Sequence, residues 1–116
     1  METILQRLTD LDEVYDAVLV GRDGLIVAGI LQNEDEEVIG AMSAAAFGSI
    51  TNYTTQINSG EACRVVIETK KGTVQMEGAD DLILVVATRR TGNLGRVRVE
   101  MKKACRQLEQ LVAAGY

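Results

Sequence analysis

The stretch VIGAMSAAAFGSITNYTTQINSG, Val38 to Gly60, contains no charged side chain. Just before it, QNEDEEVI has the features of a helix start. Asn33 can cap, Glu36 follows three residues later, and acids crowd the positive end of the helix. The pattern predicts one long helix from about Glu34 to Asn58, stopped by Gly60. A surface helix of a small soluble protein normally turns charge toward water. This one has none to turn, so something must cover its second side.

Working outward, METILQRLTDL places Ile4, Leu5, Leu8 and Leu11 at helical spacing and predicts a short first helix. VYDAVLV and LIVAGIL flank GRDG, two β-rich runs around an Asp23-Gly24 turn. Beyond the long helix come EACRVVIET, a turn at Lys70-Lys71-Gly72, TVQME, a second turn from Gly78 to Asp81, and LILVVAT. LILVVAT is the most apolar of these runs, which predicts a central strand covered on both faces. TGNLGRVRVEMKKACRQLEQLVAA closes the chain as a helix, with Thr91 as the expected cap. The order αββαβββα is an α+β fold in a single domain, residues 1–116, built on a five-stranded antiparallel sheet. Strands apolar on both faces need helices on both sides. The expectation is the long helix on one face and the first and last helices on the other.

Composition removes whole classes of chemistry. There is no histidine, so Ser-His-Asp and Cys-His nucleophiles are excluded, as are the usual His-bearing zinc sites. Cys63 and Cys105 form no CxxC and read as reduced, buried thiols of a cytosolic protein. Met1 opens a polar amphipathic segment rather than a basic-then-apolar leader, so the expected location is cytoplasmic. The central helix is long enough to cross a membrane, but Ser43, Ser49, Thr51, Asn52, Thr54, Thr55 and Gln56 argue against an integral segment. Residues 1–37 hold ten acids and two bases, residues 88–116 seven bases and two acids, and the net charge is −5. The acidic total argues against nucleic-acid binding. GRDGLIVAG is not a phosphate loop, and Asp80 and Asp81 read as turn residues rather than metal ligands. No active site, cofactor or metal site is expected.

On a helical wheel, Val38, Met42, Tyr53, Ala46, Ile39, Ile57 and Ile50 fall within about 120° of arc. This stripe is expected to lie on the sheet. Opposite stand Phe47, Gly40, Thr51, Ala44, Thr55, Gly48 and Ala41, and Gly40, Ala44 and Gly48 repeat every four residues as a shallow groove. Two internal glycines each cost roughly 1 kcal/mol of helix propensity, so a neighbouring helix is the simplest reason for them. The competing reading is a weakly helical segment with an ordinary Ala/Ser/Thr surface. The third strand, Arg64, Val65, Val66, Ile67 and Glu68, is apolar at its centre and can lie at the sheet edge, where it invites pairing with another chain. A two-fold homodimer would then join strand to strand and long helix to long helix. The last helix turns Arg96, Lys102, Lys103 and Arg106 outward with Val99 among them. That face is either simply solvated or a dock for an acidic partner or lipid surface.

In this order and spacing, DAVLVGRDGLIVAG, the small-residue helix, LILVVAT and GNLGRVRVEMKKACRQLEQL resemble the roadblock/dynein light-chain family over nearly the whole chain. The resemblance implies a roadblock/profilin-like fold and a non-enzymatic homodimer joined at the third strands with the second helices side by side. It also implies a small Ras-like GTPase as partner, which some members stimulate to hydrolyse GTP and others scaffold, and a GTPase-facing platform from roughly Gly40 to Thr55. No arginine lies between Arg22 and Arg64, so a donated arginine finger is not expected there. Two other readings stand beside it: a structural adaptor of the light-chain type indifferent to nucleotide, and a small-molecule sensor.

Overall fold

The structure is a computed structural model, and it describes residues 1–90 and 93–115. Along the chain run α1 (Glu2–Thr9), β1 (Val14–Gly21), β2 (Ile26–Ile30), α2 (Glu36–Gln56), β3 (Arg64–Glu68), β4 (Gly72–Ala79), β5 (Leu82–Arg89) and α3 (Leu94–Ala113). All five strands join one antiparallel sheet in the order β2-β1-β5-β4-β3. LILVVAT therefore occupies the middle, as its unbroken apolar run requires, and β3 is an edge strand.

Each hairpin has a local cause. At the β1–β2 turn, Gly24 takes φ 90°, a conformation that costs glycine least. The Leu25 N–H donates to Asp23 Oδ1 at 3.0 Å, and the Gly21 N–H to the Leu25 carbonyl at 2.9 Å. Between β4 and β5, Ala79 pairs with Leu82, leaving Asp80 and Asp81 as a two-residue turn with Asp80 at φ 55°. The two aspartates are turn residues, in keeping with the sequence reading.

The helix caps differ from expectation. Asp35, not Asn33, caps α2: its Oδ1 accepts from the N–H groups of Glu37 at 2.9 Å and Val38 at 3.5 Å. The helix consequently starts at Glu36 and ends at Gln56, two residues inside the expected span at each end. Asn58 at φ 61° and Gly60 at φ 85° turn the chain away. Thr91, the expected cap of the last helix, lies outside the described residues. Asn93 fills the role, its side chain accepting from the Arg96 N–H at 3.1 Å.

α1 and α3 lie together on one face of the sheet. There Leu5, Leu8, Leu19, Leu84, Val97, Met101 and Leu108 form the larger core. α2 lies alone on the other face, over Val18, Val20, Met76, Ile83 and Val85. The strands of β1 and β5 thus have both faces covered, which explains why neither alternates apolar with polar.

Candidate functional site

α2 approaches the sheet with the side opposite to the one its apolar stripe predicts. Phe47 is fully buried, and Gly40, Ser43 and Ala44 are buried with it. Val38, Met42, Tyr53 and Ile57 are 50%, 64%, 66% and 56% exposed. The expectation that Gly40, Ala44 and Phe47 look outward is therefore corrected. Two close contacts supply the reason. A Cβ on Gly40 would lie 2.9 Å from both the Gly24 carbonyl oxygen and Ile26 Cγ1, and one on Gly24 would lie 3.3 Å from the Ala41 Cα. The small residues let α2 press onto its own β1–β2 hairpin. The chain's one phenylalanine then fills the space over Val18, Val20 and Met76, with the Arg22 guanidinium 5.3 Å from its ring centroid. Arg22 also donates to the Asp80 carbonyl at 3.0 Å, tying the two hairpin turns together over the ring.

The remaining expected residues divide. Thr51 is half-buried, and its hydroxyl oxygen has no hydrogen-bond partner among the described residues. Ala41, Gly48 and Thr55 are exposed. The side of α2 at Gly40 and Ala41 abuts the hairpin, and another flank of the helix is left exposed. That flank carries Val38, Met42, Tyr53 and Ile57. Ile39 and Ala46, at its inner margin, pack on the core cluster together with Val65 and Val74. Sequence reasoning missed these four exposed residues as surface. The usable signal was Phe47: its ring has no polar end to leave in water, unlike Tyr53, the stripe's own aromatic.

β3 completes the site. Its residues alternate, Val65 and Ile67 toward the α2 face, Arg64, Val66 and Glu68 toward the α3 face. Arg64 and Val65 are half-buried; Val66, Ile67 and Glu68 are exposed. β4 occupies one edge of β3, and the other edge is unpaired among the described residues. Arg64 is held in place. Its Nη1 donates to Glu77 Oε1 at 2.6 Å and lies 3.8 Å from Met101 Sδ, and its Nη2 donates to Gln75 Oε1. The exposed α2 residues are apolar, and the open β3 edge is charged only at the two ends of the strand.

Elsewhere the chemistry is structural. Burial, followed by nearby Glu77, pushes the Cys105 thiol up to about 12, which leaves it a core side chain and not a nucleophile. Cys63 is exposed, unlike the expected buried thiol, and both cysteines are free. Glu13 accepts from the Asn93 N–H at 3.1 Å, and backbone hydrogen bonds hold its carboxyl below the usual range. Among the described residues no cluster of acidic and thiol side chains is placed to hold a metal ion, and no helix is long and apolar enough to cross a membrane. An open groove of about 910 Å³ runs along β2, rimmed by Glu2, Asp23, Glu36 and Glu37. On α3, Arg96, Lys102, Lys103 and Arg106 are exposed around Val99.

Comparison with known proteins agrees with this architecture. Residues 1–88 match the family described as the Roadblock/LC7 domain. The Methanocaldococcus jannaschii protein MJ0714 is 35% identical over 112 residues, covering 96% of this chain and 95% of that one. Among solved structures, Myxococcus xanthus MglB superposes with a TM-score of 0.91 at 23% identity, over 97% of this chain and 94% of its own. A Roadblock/LC7 domain from Streptomyces avermitilis superposes at 0.90 with 16% identity, over 97% and 98% of the two chains.

Proposed function

This chain belongs to the Roadblock/LC7 domain family, and on that premise we propose that it is a homodimeric regulator or scaffold for a small Ras-like GTPase, with no catalytic residue of its own. One observation carries the reading: α2 leaves Val38, Met42, Tyr53 and Ile57 exposed, and β3 ends the sheet with an edge that has no partner among the described residues. A second copy, related by a two-fold axis, covers both at once. β3 extends the sheet into its partner, and Val38, Met42, Tyr53 and Ile57 meet the same residues of the partner's helix. A stable contact of this kind buries about 800 Å² per protomer.

With the flank used by the partner copy, the outermost line of α2 stays free. It consists of Ala41, Ala45, Gly48, Asn52 and Thr55, all exposed, small or polar, and uncharged. Two such lines side by side make a smooth platform within the span Gly40 to Thr55. A GTPase surface can lie flat on it without having to neutralise buried charge. The helix offers no arginine, and the nearby Arg22 is engaged over Phe47. Any stimulation of hydrolysis therefore works by repositioning groups of the GTPase itself.

Sedimentation of the purified protein from low to high micromolar concentration tests the dimer. Binding to purified Ras-like GTPases of the same organism, loaded with GDP or a non-hydrolysable GTP analogue, tests the regulator. Affinity that depends on the nucleotide is expected. Equal affinity would favour a structural adaptor, and a monomer at all concentrations would remove the platform.

A further inference from the structure

Resting on the dimer reading above, we infer that β3 pairs with the second copy in one register, in which Val66 faces the partner's Val66, Val65 faces the partner's Ile67, and Arg64 faces the partner's Glu68. A two-fold axis perpendicular to the sheet keeps α2 of both copies on the same face. Residues directly opposite each other across an antiparallel pair share a face, so the register can change only in steps of two residues. Three axes keep at least three residues of this five-residue strand paired with the partner's strand, those through Val65, Val66 or Ile67.

Charge and burial separate the three. An axis through Val65 sets Arg64 opposite Val66 and Glu68 opposite Ala62, so both charges meet apolar side chains. An axis through Ile67 sets Arg64 opposite Lys70 and Val66 opposite Glu68, a like-charge pair and a mismatch. The axis through Val66 pairs the whole strand with itself. It closes the exposed Val66 on its symmetry mate, covers Ile67 with Val65 on the α2 face, and forms two Arg64–Glu68 pairs by symmetry.

The α3 face has a waiting receptor for that carboxylate. A groove lined by Arg64, Val66, Gln75, Leu94, Gly95 and Arg98 opens at this edge. Gln75 is 2% exposed, and its Nε2 has no acceptor among the described residues. Arg64 gives one N–H to Glu77 and one to Gln75, and a guanidinium carries five. The groove is rich in donors, and Glu68 of the partner subunit brings an acceptor to it. Arg64 is already immobilised by Glu77, so little side-chain freedom is lost when the pair forms.

Single cysteines at positions 65, 66 and 67 of the full chain, each combined with Cys63→Ser, read the register directly. Opposite residues lie about 4.5–5.5 Å apart between Cα atoms, within disulfide range, whereas a two-residue offset exceeds it. Under copper–phenanthroline oxidation, Val66→Cys should cross-link at least tenfold faster than Val65→Cys or Ile67→Cys. Faster cross-linking at 65 or 67 would overturn this register while leaving the dimer intact. A dimer by sedimentation with no cross-link at any position would overturn edge pairing, and a monomer would overturn the dimer reading itself. As a second measurement, Glu68→Lys sets a lysine against the partner's Arg64. The dimer dissociation constant should rise about tenfold, with unchanged thermal unfolding of the monomer; an unaltered constant contradicts the pairing.

Discussion

On one face of the sheet, α1 and α3 bring sixteen described residues into a single buried cluster; on the other, α2 alone gathers six. The sheet is the same, and its central strands are equally apolar on both sides. The difference is the amount of helix available to cover them. Two helices seal the first face from β1 to β4. One helix, held close to the β1–β2 hairpin by Gly40, leaves the second face open toward β3. The closed face holds the monomer together. The open face is the one that the proposed second copy would cover.

Paired substitutions should separate these roles most sharply. Leu108→Ala removes a fully buried side chain from the closed face and should cost about 2–5 kcal/mol of folding stability, read by urea unfolding. Met42→Glu on the open face should change monomer stability by no more than about 0.5 kcal/mol. It should nevertheless raise the dimer dissociation constant roughly 100-fold, close to 2.7 kcal/mol. If Met42→Glu unfolded the monomer instead, the two faces would not differ in kind.

A smaller effect tests how α2 is seated. Gly40→Val pushes a side chain against the Gly24 carbonyl and Ile26 and should destabilise by about 1–3 kcal/mol. At Gly48 an added Cβ meets nothing within 4 Å of it. Gly48→Ala should therefore stabilise the helix by roughly 0.5–1 kcal/mol. Thermal melts of the two variants should move in opposite directions. A reversal, with Gly40→Val stabilising and Gly48→Ala destabilising, would mean that the inward and outward sides of the helix have been exchanged.

The smallest expected effect lies at the end of the open face. Asp16 precedes Val18 on the same side of β1, its Oδ1 accepting from the Gln32 N–H at 3.0 Å. Burial, then the neighbouring Glu34, raises its carboxyl to about 6 despite that hydrogen bond. The folded state thus holds this proton more tightly than the unfolded chain. The group lowers stability as pH rises from about 4 through about 6, and stability recovers as pH falls back through that window. Glu34 is shifted the other way by backbone hydrogen bonds, so its contribution is lost only below the ordinary glutamate range. Asp16→Asn should flatten the melting temperature between pH 4.5 and pH 6.5, a window set by about 4 and about 6 above. An unchanged slope would place the titration elsewhere.

Most of the architecture was legible before any coordinates. Turn chemistry at Asp23-Gly24 and at Asp80-Asp81 marked the hairpins. The unbroken LILVVAT marked the central strand, and RVVIE, following the long helix that interrupts the run of strands, could be read as an edge strand, where the structure places it. The caps were less legible, because Asn33 and Asp35 stand two residues apart and either can cap; the choice falls to the one the chain leaves extended beside the first turn, Asp35.

The chain itself marked its long helix as one whose outer side lacks the charge a water-facing surface normally carries, since the run from Val38 to Gly60 has none. It could not determine which side meets the sheet. Both sides are apolar or small, so helical periodicity marks a face without pointing it. Only the tertiary structure decides, and it decides by volume and closeness of approach. Gly40 lets the backbone settle onto Gly24 and Ile26, Phe47 fills the space that remains, and Val38, Met42, Tyr53 and Ile57 of the apolar stripe are left facing outward.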